Sequence, residues 1–305
     1  MVKKIIITGG SGLVGSNFVT DLSNKKEYDE CKLFSLYNSH PTNFKSCENI
    51  KVDITNRDEV ISLLKIKPDL IIHCAAVTGI SFCEKNKEIA NKINVSATRN
   101  IVELAKKTNA KLIYLSTDAV FDGLKGNYSE TDEPSPVNVY GKTKLDGEKV
   151  CLTSYENTIV ARISVFGKNL VIKKSNFVGD ILDNLKKGKT YYGFDDAKTS
   201  LISVKNLLDL IIKIYEKDAK GIYHIGSLES PSKYEFAKLV SEVFGFEIDL
   251  IKKTSVESLY AKDNIRRSKD CSFNTSKILN LLNIKSIPTL KEMVIDFKNQ
   301  EIMGE

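Results

Sequence analysis

The stretch Tyr140-Gly141-Lys142-Thr143-Lys144 places a phenol and an ammonium four residues apart. On a helix, that spacing sets both on one face. A nearby cation stabilises phenolate, so the pair reads as an acid/base phenol whose pKa is drawn below its usual value of about 10. Tyr-x-x-x-Lys is common by chance, and its weight here comes from a third group. The apolar run Leu112-Ile113-Tyr114-Leu115 ends in Ser116-Thr117-Asp118, which puts the Thr117 hydroxyl at the carboxyl end of a strand. That edge is where open parallel sheets bind ligands. Thr117, Tyr140 and Lys144 are therefore the candidate catalytic residues.

These residues need a frame, and hydrophobic periodicity supplies one. Ile5-Ile6-Ile7, Leu33-Phe34-Ser35-Leu36, Ile50-Lys51-Val52, Leu70-Ile71-Ile72, Leu112-Ile113-Tyr114-Leu115 and Ile159-Val160-Ala161 read as strands; stretches near 12–24, 56–66, 84–108 and 141–155 carry helical spacing. Such alternation predicts an α/β protein with a Rossmann-type doubly wound parallel sheet, helices on both faces. From about 165 the pattern changes. Helical stretches near 173–188, 204–217, 231–245 and 289–299 are separated by short strand-like pieces, Ile222-Tyr223-His224-Ile225 and Ile248-Asp249-Leu250-Ile251. The expected division is a cofactor-binding domain over 1–165, completed by about 201–228, and a smaller C-terminal α/β substrate lobe interleaved over 166–305. The turn-rich segment from Asp122 to Asn138 follows a strand, as binding loops do.

The first strand runs into Thr8-Gly9-Gly10-Ser11-Gly12-Leu13-Val14-Gly15 and then a helix. Gly9, Gly12 and Gly15 let the backbone turn tightly, approach a pyrophosphate and seat the helix on the sheet, while the helix N-terminus offers N–H groups to the phosphates. With a strand before and a helix after, the triplet reads as a dinucleotide site. An NAD site usually carries an acid about 20 residues on, to hold the ribose 2′-hydroxyl. Here that region reads Leu36-Tyr37-Asn38-Ser39-His40, without an acid and without an Arg. NADP(H) is the preferred cofactor on this reading, with Ser39 and His40 as 2′-phosphate contacts, and NAD(H) is the alternative. Asp53, in Val52-Asp53-Ile54, reads either as an adenine contact or as a cap for the following helix, a duty Thr55 or Asn56 would perform as well.

Composition excludes other classes. The 305 residues are 42% hydrophobic and 28% charged, unlike a disordered or fibrous chain. The net charge of +6 rests on lysines scattered among acids, with only five Arg, and predicts a solvated surface and no nucleic-acid partner. Three His and six Cys without a C-x-x-C pair make no metal site, and the thiols suit a reducing cytoplasm. His73 reads as a turn residue whose backbone matters more than its ring, and His224 as a core strand histidine. The apolar run near Met1 stops at Gly9, short of a signal-peptide core, and no run approaches the roughly 18 residues of a membrane span.

Gly9-x-x-Gly12-x-x-Gly15, His73-Cys74-Ala75-Ala76, Thr117 and Tyr140-x-x-x-Lys144 together resemble the extended short-chain dehydrogenase/reductase family. Within it, Ser116-Thr117-Asp118-Ala119-Val120-Phe121-Asp122-Gly123, Tyr128-Ser129-Glu130, Pro136 and Tyr140-Gly141-Lys142-Thr143-Lys144-Leu145-Asp146-Gly147-Glu148 are similar to the dTDP-4-dehydrorhamnose reductase subfamily. Downstream, Arg162-x-x-x-x-Gly167, Asn176-Phe177-Val178 and Arg266-Arg267 with Asn274-Thr275-Ser276-Lys277 continue the likeness. The resemblance implies an oxidoreductase of dTDP-rhamnose type biosynthesis that uses NADPH to reduce the C4 ketone of a nucleotide-activated 4-keto-6-deoxy sugar. Tyr140 would give the proton, Thr117 would hydrogen-bond the same oxygen, and Lys144 would hold the nicotinamide ribose.

Cofactor contacts implied in this way are Gly9, Ser11, Gly12, Leu13, Val14, Gly15, Ile54, Cys74, Ala75 and Ala76, beside Ser39, His40, Asp53, Tyr140 and Lys144. Substrate contacts are expected from Thr78, Asp118, Val120, Phe121, Arg162, Asn176 and Arg267, the two Arg serving a diphosphate. The expected partners are the nucleotide sugar and, at most, a second copy of the chain in a homodimer. Three departures fall near the sugar-nucleotide pocket. Ala119 stands where the subfamily has Tyr, Asp195-Asp196-Ala197-Lys198-Thr199-Ser200 lacks the Gln and Pro of D-Q-x-x-x-P-T, and Ser268 replaces the Pro after the Arg pair. They leave the chemistry standing and the particular substrate open.

Two other functions share the scaffold: a nucleotide-sugar 4-epimerase with tightly held NAD, and a non-catalytic NADP-binding regulatory subunit of the kind that partners methionine adenosyltransferase. The missing second-strand acid argues against the first, and the intact Thr117/Tyr140/Lys144 set against the second. A 4,6-dehydratase is disfavoured, because its Thr is followed by Asp-Glu and Thr117 by Asp118-Ala119.

Overall fold

The amino-terminal apolar run shows how the sheet is built: Ile5 and Ile7 enter one hydrophobic layer and Ile6 the opposite one, all fully buried. A strand covered on both faces reads as a continuous apolar run. The computed structural model describes residues 3–172 and 176–303. In chain order its elements begin with β1 (Lys4–Thr8), α1 (Leu13–Ser23), β2 (Lys32–Tyr37), β3 (Glu48–Lys51), α2 (Arg57–Ile61), β4 (Leu70–His73), α3 (Ile80–Lys85) and α4 (Lys87–Asn91). There follow α5 (Ala97–Thr108), β5 (Lys111–Thr117), α6 (Val139–Ser154), β6 (Thr158–Phe166), α7 (Phe177–Lys186), β7 (Tyr191–Phe194), β8 (Leu201–Ser203) and α8 (Val204–Glu216). The chain ends with β9 (Gly221–Ile225), α9 (Lys233–Phe244), β10 (Ile251–Thr254), α10 (Val256–Asp263), α11 (Ser276–Leu282) and α12 (Leu290–Met303).

Among the described residues, eight strands form one parallel sheet in the order β3-β2-β1-β4-β5-β6-β8, with β9 also on β6. Phe18, Leu22, Leu208, Ile211 and Phe297 from α1, α8 and α12 cover one face, and Val60, Ile101, Leu104 and Cys151 from α2, α5 and α6 the other. β6 divides its outer edge: Ile159–Ile163 pair with β9 and Ser164–Phe166 with β8. Residues 201–225 therefore return to the main sheet, while β7 and β10 form a separate parallel pair. Register brings Thr8 level with Leu36 and His73, and Thr117 level with Ile163. The turn after β1, the loop after β4 and the Thr117 hydroxyl thus share one edge.

Several local expectations are corrected. The helix expected over 84–108 is interrupted: α3 and α4 meet at Asn86, and residues 92–96 form a π turn before α5. Within that turn the Asn94 side chain binds the Val77 backbone and the Thr143 hydroxyl, and π turns recur at functional sites. β3 ends at Lys51, so Asp53 lies beyond the strand. The strand expected over 248–251 opens as a tight turn and becomes β10 only from Ile251. α7 starts at Phe177 because Asn176 caps it, and residues 173–175 of the helix expected there lie outside the described residues. Among the described residues, no helix is long and apolar enough to cross a membrane.

One buried ion pair braces this layout. Arg162 of β6 places Nη2 2.7 Å from Glu148 Oε2 of α6 and Nε 3.0 Å from Oε1, with both side chains 2% exposed. Ser116 Oγ donates to the same carboxylate, and Arg162 Nη1 faces His224 Nε2 at 3.4 Å. His224 Nδ1 lies 2.8 Å from the Tyr128 carbonyl, so Nδ1 carries the proton and Nε2 accepts. Burial, then the guanidinium, lower its pKa to about 3 and keep the ring neutral; it is the core strand histidine expected from its context. Removing one partner of such a pair strands a charge in the interior. Arg162→Met is expected to lose about 3–5 kcal/mol of unfolding free energy in urea, with the Glu148→Gln/Arg162→Met pair regaining part of it. A single variant as stable as the parent would show that the pair does not brace the fold.

Candidate active site

The glycine turn is dictated by close approach. Gly9 has φ +67°, and a Cβ there would lie 2.8 Å from the Ala75 Cα; a Cβ on Gly15 would lie 2.3 Å from the Gly9 carbonyl oxygen. Such contacts tolerate only glycine. Gly12 N–H donates to Gly9 O at 2.9 Å, and α1 begins on Gly12 without a side-chain cap. The result is a close-packed cradle with helix N–H groups facing outward, which fits a dinucleotide pyrophosphate.

The loop after β4 is held against that turn by His73. Thr98 Oγ1 donates to the Asn94 carbonyl at 2.8 Å, so it accepts from His73 Nε2 at 3.1 Å. Burial brings the His73 pKa down to about 3. Its Nδ1 therefore accepts from Thr8 Oγ1 at 2.7 Å, and that oxygen accepts the Ala75 N–H at 3.1 Å. The ring, expected to matter less than the backbone, is what ties β1, α5 and the Cys74-Ala75-Ala76 loop together.

α6 begins on Asn138, whose Oδ1 accepts the Gly141 N–H at 2.9 Å, and this cap sets Tyr140 in the first turn. Thr143, between Tyr140 and Lys144, bonds back to the Tyr140 carbonyl at 2.9 Å and receives Asn94 Nδ2 at 3.0 Å. Burial raises the Tyr140 pKa, with the Thr117 side chain acting in the opposite sense. Thr117 and Tyr140 are thus neighbours. Lys144 is buried, its ammonium 4.0 Å from the centre of the Tyr114 ring, and desolvation lowers its pKa to about 8, with the Glu148 carboxylate acting in the opposite sense. The expectation that Lys144 draws Tyr140 down is not met: burial dominates both groups, so the phenol stays protonated at neutral pH.

Beside Thr117 opens a cleft of about 150 Å³, lined by Asp118, Asn138, Thr199, Lys233, Arg267 and Lys269 among others. Thr117 Oγ1 donates to Asp118 Oδ1 at 3.0 Å, and Thr199 Oγ1 to Asp118 Oδ2 at 2.6 Å. A larger groove of about 700 Å³, lined by Glu27, Asp69, Lys111 and Asp218, lies at the opposite edge of the sheet, away from this chemistry.

Residues 3–300 match the family described as RmlD substrate binding domain. The chain belongs to that family. It is 30% identical over 259 residues to the probable low-salt glycan biosynthesis reductase Agl14 of Haloferax volcanii, covering 83% of this chain and 84% of the relative. It is 31% identical over 249 residues to methionine adenosyltransferase 2 subunit beta of Xenopus laevis, covering 79% and 72%. Its fold superposes with TM-score 0.86 on dTDP-4-dehydrorhamnose reductase from Bacillus anthracis, solved in complex with NADP, at 27% identity over 98% of this chain and 100% of that one.

Within this RmlD-family chain the remaining residues named from sequence separate into those that reach the site and those that do not. Ser11, Leu13 and Val14 lie in the cradle. Ser39 and His40 are exposed past β2, Ser39 Oγ 3.0 Å from His40 Nδ1, beside the turn whose Gly10 N–H bonds Leu36 O. Asp53 does not cap α2; Asn56 does, while Asp53 Oδ1 closes a turn on Thr55 next to the buried Ile54. Asp118 and Arg267 line the cleft, and Arg266 is exposed. Arg162, expected on a diphosphate, is instead committed to Glu148 inside the core. Val120 and Phe121 are fully buried in a cluster with Tyr128, Cys271 and Phe273, so their side chains hold the loop rather than a substrate. Asn176 spends its side chain capping α7 and binding the Gly167 carbonyl. Thr78 lies exposed on the loop after β4. Sequence reasoning missed Asn94, Asn138, Glu148 and Lys233; of these only Glu148 carried a signal, sitting four residues past Lys144 on the same helix face.

Lys144 supplies a pH test. Its ammonium is present below about 8 and lost above it; if that charge holds a bound dinucleotide, NADPH affinity of the free protein should weaken as pH rises through that value. Lys144→Arg, whose charge persists, should flatten the profile. Fluorescence titration from pH 6.5 to 9.5 reads both, on the order of one decade of affinity per pH unit above the transition; a flat parental profile would remove Lys144 from the cofactor site.

Proposed function

We propose that the protein reduces the C4 ketone of a nucleotide-activated 4-keto-6-deoxy sugar with NADPH as preferred reductant. The observation that carries this reading is the meeting of Thr117, Tyr140 and Lys144 at the sheet edge that also holds the glycine cradle. The cradle would hold the pyrophosphate, Ser39 and His40 the 2′-phosphate, and Asp53 the adenine. Bound NADPH supplies the hydride. As the carbonyl carbon accepts it, the Tyr140 phenol passes its proton to the developing alkoxide, and the Thr117 hydroxyl turns from Asp118 Oδ1 to donate to the same oxygen. Lys144 holds the ribose and offers its charge to the phenolate left behind, so ketone, hydride and proton give the alcohol. Arg267 faces the substrate diphosphate from the cleft wall.

Likeness to methionine adenosyltransferase 2 subunit beta supports a second reading, an NADP-binding regulatory subunit. Reduced-cofactor absorbance separates the two. With a panel of 4-keto-6-deoxy nucleotide sugars the parent should oxidise NADPH, and Tyr140→Phe should fall by about 10²–10⁴ in kcat. No oxidation with any sugar, together with stoichiometric capture of an adenosyltransferase, would favour the regulatory subunit.

A further inference from the structure

We propose that Lys233 is an anion-binding residue of the cleft beside Thr117 and that, with Arg267, it selects substrates carrying a diphosphate. The proposal rests on the sugar-nucleotide reading above and adds a residue to it.

The cleft's charges are unequally committed. Arg267 is paired with Asp263, Nη2 to Oδ2 at 2.6 Å, and Lys269 reaches Asp196 at 3.8 Å. Both oxygens of Asp118 already accept hydroxyl protons, from Thr117 and Thr199. Lys233 differs. Its backbone N–H is anchored to the Ala197 carbonyl at 2.9 Å, and the adjoining Ser232/Glu235 capping box fixes the start of α9. Its ammonium lies 5.5 Å from the centre of the Phe177 ring and 5.9 Å from that of Phe194, and among the described residues no carboxylate is hydrogen-bonded to it. Asp118 and Arg267 act on it only through space, and desolvation lowers its pKa. A cation stripped of part of its water, held between aromatic faces at a cleft wall, gains most from a ligand bringing negative charge and acceptor oxygens. With Arg267 lining the same cleft, the matched ligand is a diphosphate, whose two phosphoryl groups offer oxygens to both. The competing role is structural: a cation–π strut between Phe177 and Phe194 with no ligand.

The test uses the full chain saturated with NADP⁺ and titrates thymidine diphosphate and uridine diphosphate against thymidine and uridine by calorimetry. The parent should bind a diphosphate at least tenfold more tightly than its nucleoside. Lys233→Met should lose most of that preference and Lys233→Arg keep it, with thermal midpoint and NADP⁺ affinity unchanged in both; Lys233→Gln serves if the Met variant is unstable. A Met or Gln variant that prefers diphosphate as strongly as the parent overturns the inference and leaves the sugar-nucleotide reading standing. A parent that binds neither diphosphate overturns both.

Discussion

A carboxylate and a guanidinium kept out of water set the geometry on which the site depends. Glu148 sits on the helix that carries Tyr140 and Lys144, one turn past the lysine; Arg162 sits on the strand beside the one that ends in Thr117, and Ser116 joins them. Replacing such a pair with apolar groups often leaves stability unchanged or higher, so its value lies in position. The carboxylate must satisfy Arg162 and Ser116 at once, which allows α6 little freedom to slide or rotate along β5. Gly147 completes the fit, since a Cβ there would lie 2.2 Å from the Tyr114 hydroxyl. Helix and sheet are drawn close and indexed by charge, and the phenol, the ammonium and the threonine hydroxyl take their places from that index.

Much of this was readable from residue order. Ile5-Ile6-Ile7 followed by glycines at three-residue spacing announces a buried strand, a cradle and a helix, because only glycine meets those contacts. The doubly wound sheet follows from strand-helix alternation through residue 165. What escaped has a common physical cause: its meaning is set by a partner distant in sequence. Arg162 looks like a diphosphate ligand until Glu148 is placed against it, and Phe121 like a pocket wall until Tyr128 and Phe273 close over it. Lys233 is one lysine among many until Asp118, Phe177 and Phe194 surround it. Short elements such as β8 and α11 carry too few residues to display a period.

The electrostatics taught the same lesson in sign. Spacing alone says that a lysine one turn away should favour phenolate. Burial reverses the outcome, raising Tyr140 and lowering Lys144 together, so each group is biased toward its neutral form before any ligand arrives. His73 and His224 show the same desolvation put to structural use, each a neutral ring with one nitrogen giving and one receiving.

The divided edge of β6 has a consequence for how the molecule comes into being. Its partners β9 and β8 lie within residues 201–225, so a nascent chain released only as far as residue 165 exposes a long apolar strand with an entire row of unpaired amides and carbonyls. Such an edge invites foreign strands. The sheet built as far as β6 therefore keeps an open edge until the chain has travelled out through α7 and returned as β8 and β9.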